Sequence, residues 1–235
     1  RPLRLVFSTP LEGRHLIQLR LEKNKPVEGD NWLVPRLVYE QVKSVRGFVG
    51  VSASPGLRLV PASVIGANDL AAVFFPKRIQ GLQAAYRIKE ANWEANLGVE
   101  RMELALQVDA LQLYSIGQGI VYGSSVLNYL ISGKPVSELK VLIPADYSNV
   151  EFVGRDVRNW KMDEATEGSD TQSYTVYFQS TVFGDYTLLA TFERQFEPQG
   201  ETLSFNGVRP VDVQSEAGYS ILISKERFEE STAEE

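Results

Sequence analysis

Apolar side chains recur at every second position over long stretches of the chain. Leu82, Ala84, Tyr86 and Ile88 alternate with Gln83, Ala85, Arg87 and Lys89, and Trp93, Ala95, Leu97 and Val99 with Glu94, Asn96 and Gly98. Met102, Leu104, Leu106, Val108 and Ala110 face away from Glu103, Gln107 and Asp109, and Leu139, Val141 and Ile143 repeat the pattern up to Pro144. Residues two apart share one face of a strand, so each run predicts a half-buried strand with one wet side. Helical spacing is sparse. Only 97–114 tests it, and there alternation outweighs the i, i+3, i+4 matches; short helices fit 66–80 or 210–217, where the pattern is poor.

Glycine-bearing turns punctuate the runs. Leu11-Glu12-Gly13-Arg14 is expected to join strands 3–9 and 15–23, and Gly117-Gln118-Gly119 to fold 100–115 back onto 119–132. Ser132-Gly133-Lys134-Pro135 is expected to separate that return strand from 136–143, and Phe183-Gly184-Asp185 to join 173–181 to 186–194. Glycine supplies the positive φ that tight hairpin loops need. The predicted fold is all-β: a large two-sheet antiparallel β-sandwich, supersandwich-like, with few or no helices and one shared core.

A shift of 171 residues lays 3–23 over 174–194 without a gap. Phe7 meets Phe178, Gly13 meets Gly184 and Glu22 meets Glu193; further on, Gly29 falls on Gly200, Val42 on Val213, Ser44 on Ser215 and Gly47 on Gly218. This period is the size of a domain, far beyond the ~20–50 residues of a solenoid repeat. Two organisations stay open: the end of one β-domain, a nearly complete repeat and the opening of the next, or a single large sandwich with similar hairpins at both ends. The expected segments are 1–24 (an end hairpin or first strands), 25–195 (the main sandwich), 196–224 (the start of a further repeat or closing strands) and 225–235, an acidic frayed tail. With Arg1 already inside a strand-like run, the chain is expected to be part of a longer protein.

Composition narrows the function classes. The chain has 235 residues, 43% hydrophobic and 23% charged, which excludes wholesale disorder and collagen-like readings. A net charge of −6 argues against a nucleic-acid partner. With no cysteine, disulfides and thiolate chemistry are excluded. No apolar run reaches the ~18 residues of a membrane helix, so direct membrane insertion of this segment is not expected.

Candidate chemistry is thin. His15 is the only histidine and has no partners at catalytic or metal spacing, so a packing or surface role is expected. Ser137-Glu138-Leu139-Lys140 matches S-x-x-K, but a strand would point the two functional side chains to opposite faces. Gly117 and Gly119 lack the third glycine and following helix of a phosphate cradle. Asp156, Asp163, Glu164, Glu167 and Asp170 carry oxygen ligands but not calcium-loop spacing, and read as a solvated loop. Trp93 alternates with Leu97 and Val99 and reads as core. Trp32 and Trp160 lie in irregular polar surroundings and are the candidate ligand-binding rings, suited to stacking on a sugar.

Val121–Pro144 (VYGSSVLNYLISGKPVSELKVLIP) and Val150–Trp160 (VEFVGRDVRNW) together resemble a pattern of strand ends and turns found in uncharacterised bacterial membrane-associated proteins with repeated all-β extracytoplasmic domains. The resemblance implies a β-sandwich or supersandwich fold, the latter shared with galactose-mutarotase-like domains. Mutarotase-like activity needs more than one site histidine, and with only His15 it is not carried over. The expectation is a non-catalytic extracytoplasmic module, a spacer or protein-interaction domain, without a cofactor. Its partners are a protein or neighbouring domains of the same chain; a carbohydrate-binding or sugar-processing supersandwich is the alternative.

Overall fold

The computed structural model describes residues 3–23, 31–163, 169–197 and 202–224. Its strands, in chain order, are β1 (Asn31–Leu33), β2 (Gly47–Ser52), β3 (Leu57–Ile65), β4 (Ala67–Asp69), β5 (Leu82–Ile88), β6 (Glu94–Arg101), β7 (Ala105–Ile116), β8 (Ile120–Pro144), β9 (Ser148–Gly154), β10 (Val157–Met162), β11 (Thr171–Gln195), β12 (Arg209–Pro210) and β13 (Ser215–Ser224). A single 3₁₀ turn, Ala72–Phe74, interrupts them, and no α-helix occurs among the described residues. The all-β expectation holds. Among the described residues no helix is long and apolar enough to cross a membrane.

The buried side chains gather in two cores, not the single interior expected. In the smaller, the sheets β1-β6-β3 and β2-β5-β4 enclose Val51, Tyr86, Trp93, Ala95 and Leu97. Alternation accounts for this directly: Trp93, Ala95 and Leu97 are buried while Glu94 is exposed. The run breaks at 102–104, however. Met102 and Leu104 are exposed, and the inward row resumes with Leu106, Val108 and Ala110 on β7.

The larger core belongs to a sheet ordered β10-β11-β8-β7-β13, with β12 beside β8 and β9 beside β11. The 25-residue strands β8 and β11 are its frame, pairing over both of their halves. Val121–Ser132 of β8 takes β7 on its other side, whereas Leu142 and Val141 take β12. On β11, Leu188–Glu193 takes β9 and Tyr174–Phe178 takes β10. Phe178 and Tyr186, eight positions apart on one strand, would be ~26 Å apart if it were straight. Their ring centroids lie 5.0 Å apart. Phe152 of β9, opposite Ala190, likewise meets the Tyr174 ring at 5.7 Å. The two long strands therefore double over, and their halves form the facing layers of a sandwich.

Two glycine predictions are corrected by this bend. Gly184 lies at positive φ (79°) as expected, but at a register shift inside continuous β11, not in a hairpin loop. Gly133 (φ 72°) bends β8 instead of ending it. An extra residue on one strand of a ladder bends it and sharpens its twist without reversing the chain. The turn at Gly117-Gln118-Gly119 does reverse direction: the Gly117 amide donates to the Ile120 carbonyl at 2.8 Å, and β7 pairs with β8 from Ile116↔Val121 onward.

Residues 3–23 carry no ladder, so the hairpin expected there is absent. Segment 202–224 does add to the large sheet, through β12 and β13. The β13–β7 pairing is parallel, however, and departs from the expected all-antiparallel arrangement. The Gly29–Gly200 match and the tail 225–235 lie outside the described residues.

Candidate functional site

The edge strand β13 and the loop after β4 each expose apolar side chains that the two cores leave uncovered. Strand β13 pairs with β7 from Ser215↔Gln107 to Ser224↔Ile116, and β7 occupies only one of its edges. Tyr219 is 80% exposed, with Ile221 and Ile223 half exposed beyond it. Beside them a groove of 340 Å³ is lined by Ala110, Gln112, Glu216, Gly218 and Tyr219. Burial pushes the Glu216 carboxyl above the ordinary carboxylate range, and Arg209 partly offsets it.

The loop is set by its anchors. The Leu70 amide donates to the Ala85 carbonyl, the Ala72–Phe74 turn closes with Phe75 donating to the Ala72 carbonyl, and Gly81 at φ 69° returns the chain to β5. Phe75 turns inward, edge-on to Phe48 at 6.3 Å and over Gly50, where a β-carbon would lie 2.8 Å from its ring. Val73 and Phe74 are left pointing out, 82% and 71% exposed. Ala72, Val73, Phe75, Lys77, Arg78 and Ile79 line a shallow groove of 710 Å³. An apolar tip followed by two cations suits contact with another macromolecule. The sequence reading missed this loop because 66–80 lacks periodicity, although Val73-Phe74-Phe75 running into Pro76-Lys77-Arg78 was its visible signal.

The sequence-predicted residues do not converge. Trp32 on β1 stands opposite Leu97 and packs half-buried against the smaller core. Trp160 on β10 belongs to the large sheet, 39% exposed and edge-on to Phe152 at 5.9 Å. His15 is exposed, its Nε2 paired with the Glu12 carbonyl at 2.8 Å. Ser137 and Lys140 are both exposed on β8.

Of the acidic stretch, Asp163 has a defined role at the end of β10. Its carboxylate accepts hydrogen bonds from Ser173 Oγ at 2.7 Å and from Thr175 Oγ1 at 3.0 Å, satisfying a buried threonine. The Ser173 bond, aided by Thr175, Lys140 and Lys161 against some desolvation, holds Asp163 below its ordinary pKa. Glu164 and Glu167 lie outside the described residues. Among those described, no group of three or more His, Asp or Glu is placed to hold a metal ion.

Buried tyrosines complete the polar inventory. Burial pushes Tyr147 up to about 12, with Asp146 adding to the shift and Arg194 opposing it. The hydroxyls of Tyr86, Tyr129 and Tyr147 find no hydrogen-bond partner among the described residues. Tyr147 packs edge-on against Phe192 at 4.6 Å, and Tyr86 and Tyr129 sit in the smaller and larger cores, so all three have a packing role. No protein-family model matches the chain, and comparison with curated proteins gives no match.

Proposed function

We propose that the chain is a non-catalytic β-sandwich module of an extracytoplasmic protein, serving as a spacer and protein-interaction domain. The observation that carries this reading is the exposed row Tyr219, Ile221 and Ile223 on β13, a strand that is paired along one edge only among the described residues. An open edge offers unpaired backbone donors and acceptors, and an apolar row beside it gives an added strand side-chain contact. The extracytoplasmic, membrane-linked setting is supported by the resemblance of Val121–Trp160 alone. The test places a photo-crosslinking residue at Tyr219 and, as a control, at exposed Asp185 on the bend of β11. Adducts to a protein at position 219 and not at 185 are expected. Equal labelling, or none at 219 in a folded chain, overturns the reading.

Carbohydrate binding is the second reading, favoured by the exposed Trp160 ring braced by Phe152. Oligosaccharide titration of tryptophan fluorescence separates the two. Saturable quenching that Trp160→Ala removes supports sugar binding, and an unchanged spectrum counts against it.

A further inference from the structure

Residues 3–23 present an apolar row that no other described residue covers: Leu3, Leu5, Phe7, Ile17 and Leu21 are all at least 47% exposed. Laid on β11 by the 171-residue shift, the segment reproduces the burial pattern of that strand. Val176, Phe178 and Val182, buried before the bulge, fall on Leu5, Phe7 and Leu11. Leu188, Ala190 and Phe192, buried after it, fall on Ile17, Leu19 and Leu21. Two positions of the same parity that β11 does not bury, Ser180 and Gly184, fall on Thr9 and Gly13. The departures are His15 on buried Tyr186, Arg4 on buried Thr175, and apolar Val6 and Leu16 on the outward positions of Tyr177 and Thr187.

The backbone agrees independently. Gly13 has φ 84° and Gly184 φ 79°, and neither has an atom within 4 Å of where a β-carbon would stand. Segment 3–23 therefore carries both the inward row and the bend of β11 without the ladders that β11 makes. Strand β11 is flanked on both sides, by β8 on one and by β9 and β10 on the other. All three precede it in the chain.

We propose that residues 3–23 are the closing, doubly flanked strand of a second large β unit, built as residues 105–162 are and joined ahead of residue 3. Such a unit supplies two unpaired strand edges and an open apolar layer, and 3–23 supplies the strand that closes both. This deepens the interaction reading by naming the partner of one segment, and its test is internal to one polypeptide, separate from crosslinking at Tyr219.

Amide exchange by mass spectrometry is measured on the whole chain and on the whole chain with a copy of 103–173 placed ahead of Leu3. In the chain alone, amides of 3–23 are expected to exchange at nearly unstructured rates. In the extended chain they should slow at least ~100-fold, as ladder amides do. A third chain, with 103–197 placed ahead of Leu3, has its own β11 in the slot. It shows that the added strands fold when the slot is filled, and it should leave 3–23 fast. In the extended chain, Leu5→Asp with Leu19→Asp should remove the protection, while Ser8→Asp with Arg14→Asp, on the outward positions, should keep it. Fast exchange of 3–23 in the extended chain overturns the proposal. So does protection indifferent to Leu5→Asp with Leu19→Asp, or protection in the chain alone that grows with concentration, since a second copy would then be the cover.

Discussion

Gly133→Ala tests the bend on which the large sandwich depends. Gly133 holds φ 72°, and a methyl added there would overlap the Glu103 carbonyl oxygen, a backbone atom with no side-chain freedom to retreat. A left-handed conformation costs an L-residue about 1–2 kcal/mol, and forcing backbone apart to admit a methyl about 1–3 kcal/mol more. Gly184→Ala is the internal control, because its φ of 79° carries the first cost while the space around it is open. The expected losses are then ~2–5 kcal/mol at Gly133 and ~1–2 kcal/mol at Gly184. With an m-value near ~2 kcal/mol/M, a 3 kcal/mol loss lowers the urea midpoint by about 1.5 M. Pulsed amide exchange on peptides of β8, taken along the urea series, reads the large core apart from the small one. Gly13→Ala should leave the midpoint unchanged, since residues 3–23 form no ladder. Equal midpoints for Gly133→Ala and Gly184→Ala would refute the reasoning, because conformational cost alone would then explain both.

Three further outcomes follow from the packing and the charges. Leu127→Ala, at a fully buried position of β8, should cost about 2–5 kcal/mol in the same assay. Gln112 accepts from the Val208 amide at 2.9 Å and donates to the Val208 carbonyl at 3.2 Å, mimicking a strand neighbour; Gln112→Ala should speed amide exchange at Val208 and leave β8 unaffected. The Asp163 carboxyl is held below the ordinary value of an aspartate, so its charged form is favoured in the folded state. Its contribution is present above that value and lost as pH falls through the lower folded value. An acid titration of stability should show this slope, and Asp163→Asn should flatten it.

Much of the fold was legible because burial and alternation are the same fact seen twice. Ala95 and Leu97 lie fully buried where their run places them, and Trp93, read as core, is buried beside them. The two cores were not legible. The apolar row passes from odd positions (Trp93 to Val99) to even ones (Met102 to Ala110) at the break, a change of parity that a turn within one core would also give, and the exposure of Met102 and Leu104 is what marks it as a boundary. The roles of Asp163 and Phe75 were hidden for another reason: each depends on a partner far off in sequence or in a stretch without period, Thr175 on β11 for one and Phe48 with Gly50 on β2 for the other.

The glycines were misread in a more instructive way, since positive φ was anticipated correctly at Gly133 and Gly184 while the direction of the chain was not. A hairpin and a bulge ask the same backbone freedom of glycine. What separates them is the parity of the inward positions. Across Gly117-Gln118-Gly119 the buried row changes from even (Leu106, Val108, Ala110, Tyr114) to odd (Val121, Leu127, Tyr129, Ile131), as pairing Ile116 with Val121 requires. Across Gly184 it stays even, from Val176 and Phe178 to Leu188 and Phe192, because the same strand goes on against the same neighbour. Residues 3–23 keep odd parity from Leu3 through Leu11 to Leu21 across Gly13. By that criterion the segment has the pattern of one bent strand and not of a hairpin, and such a strand would be stable only between neighbours that the described residues do not provide to it.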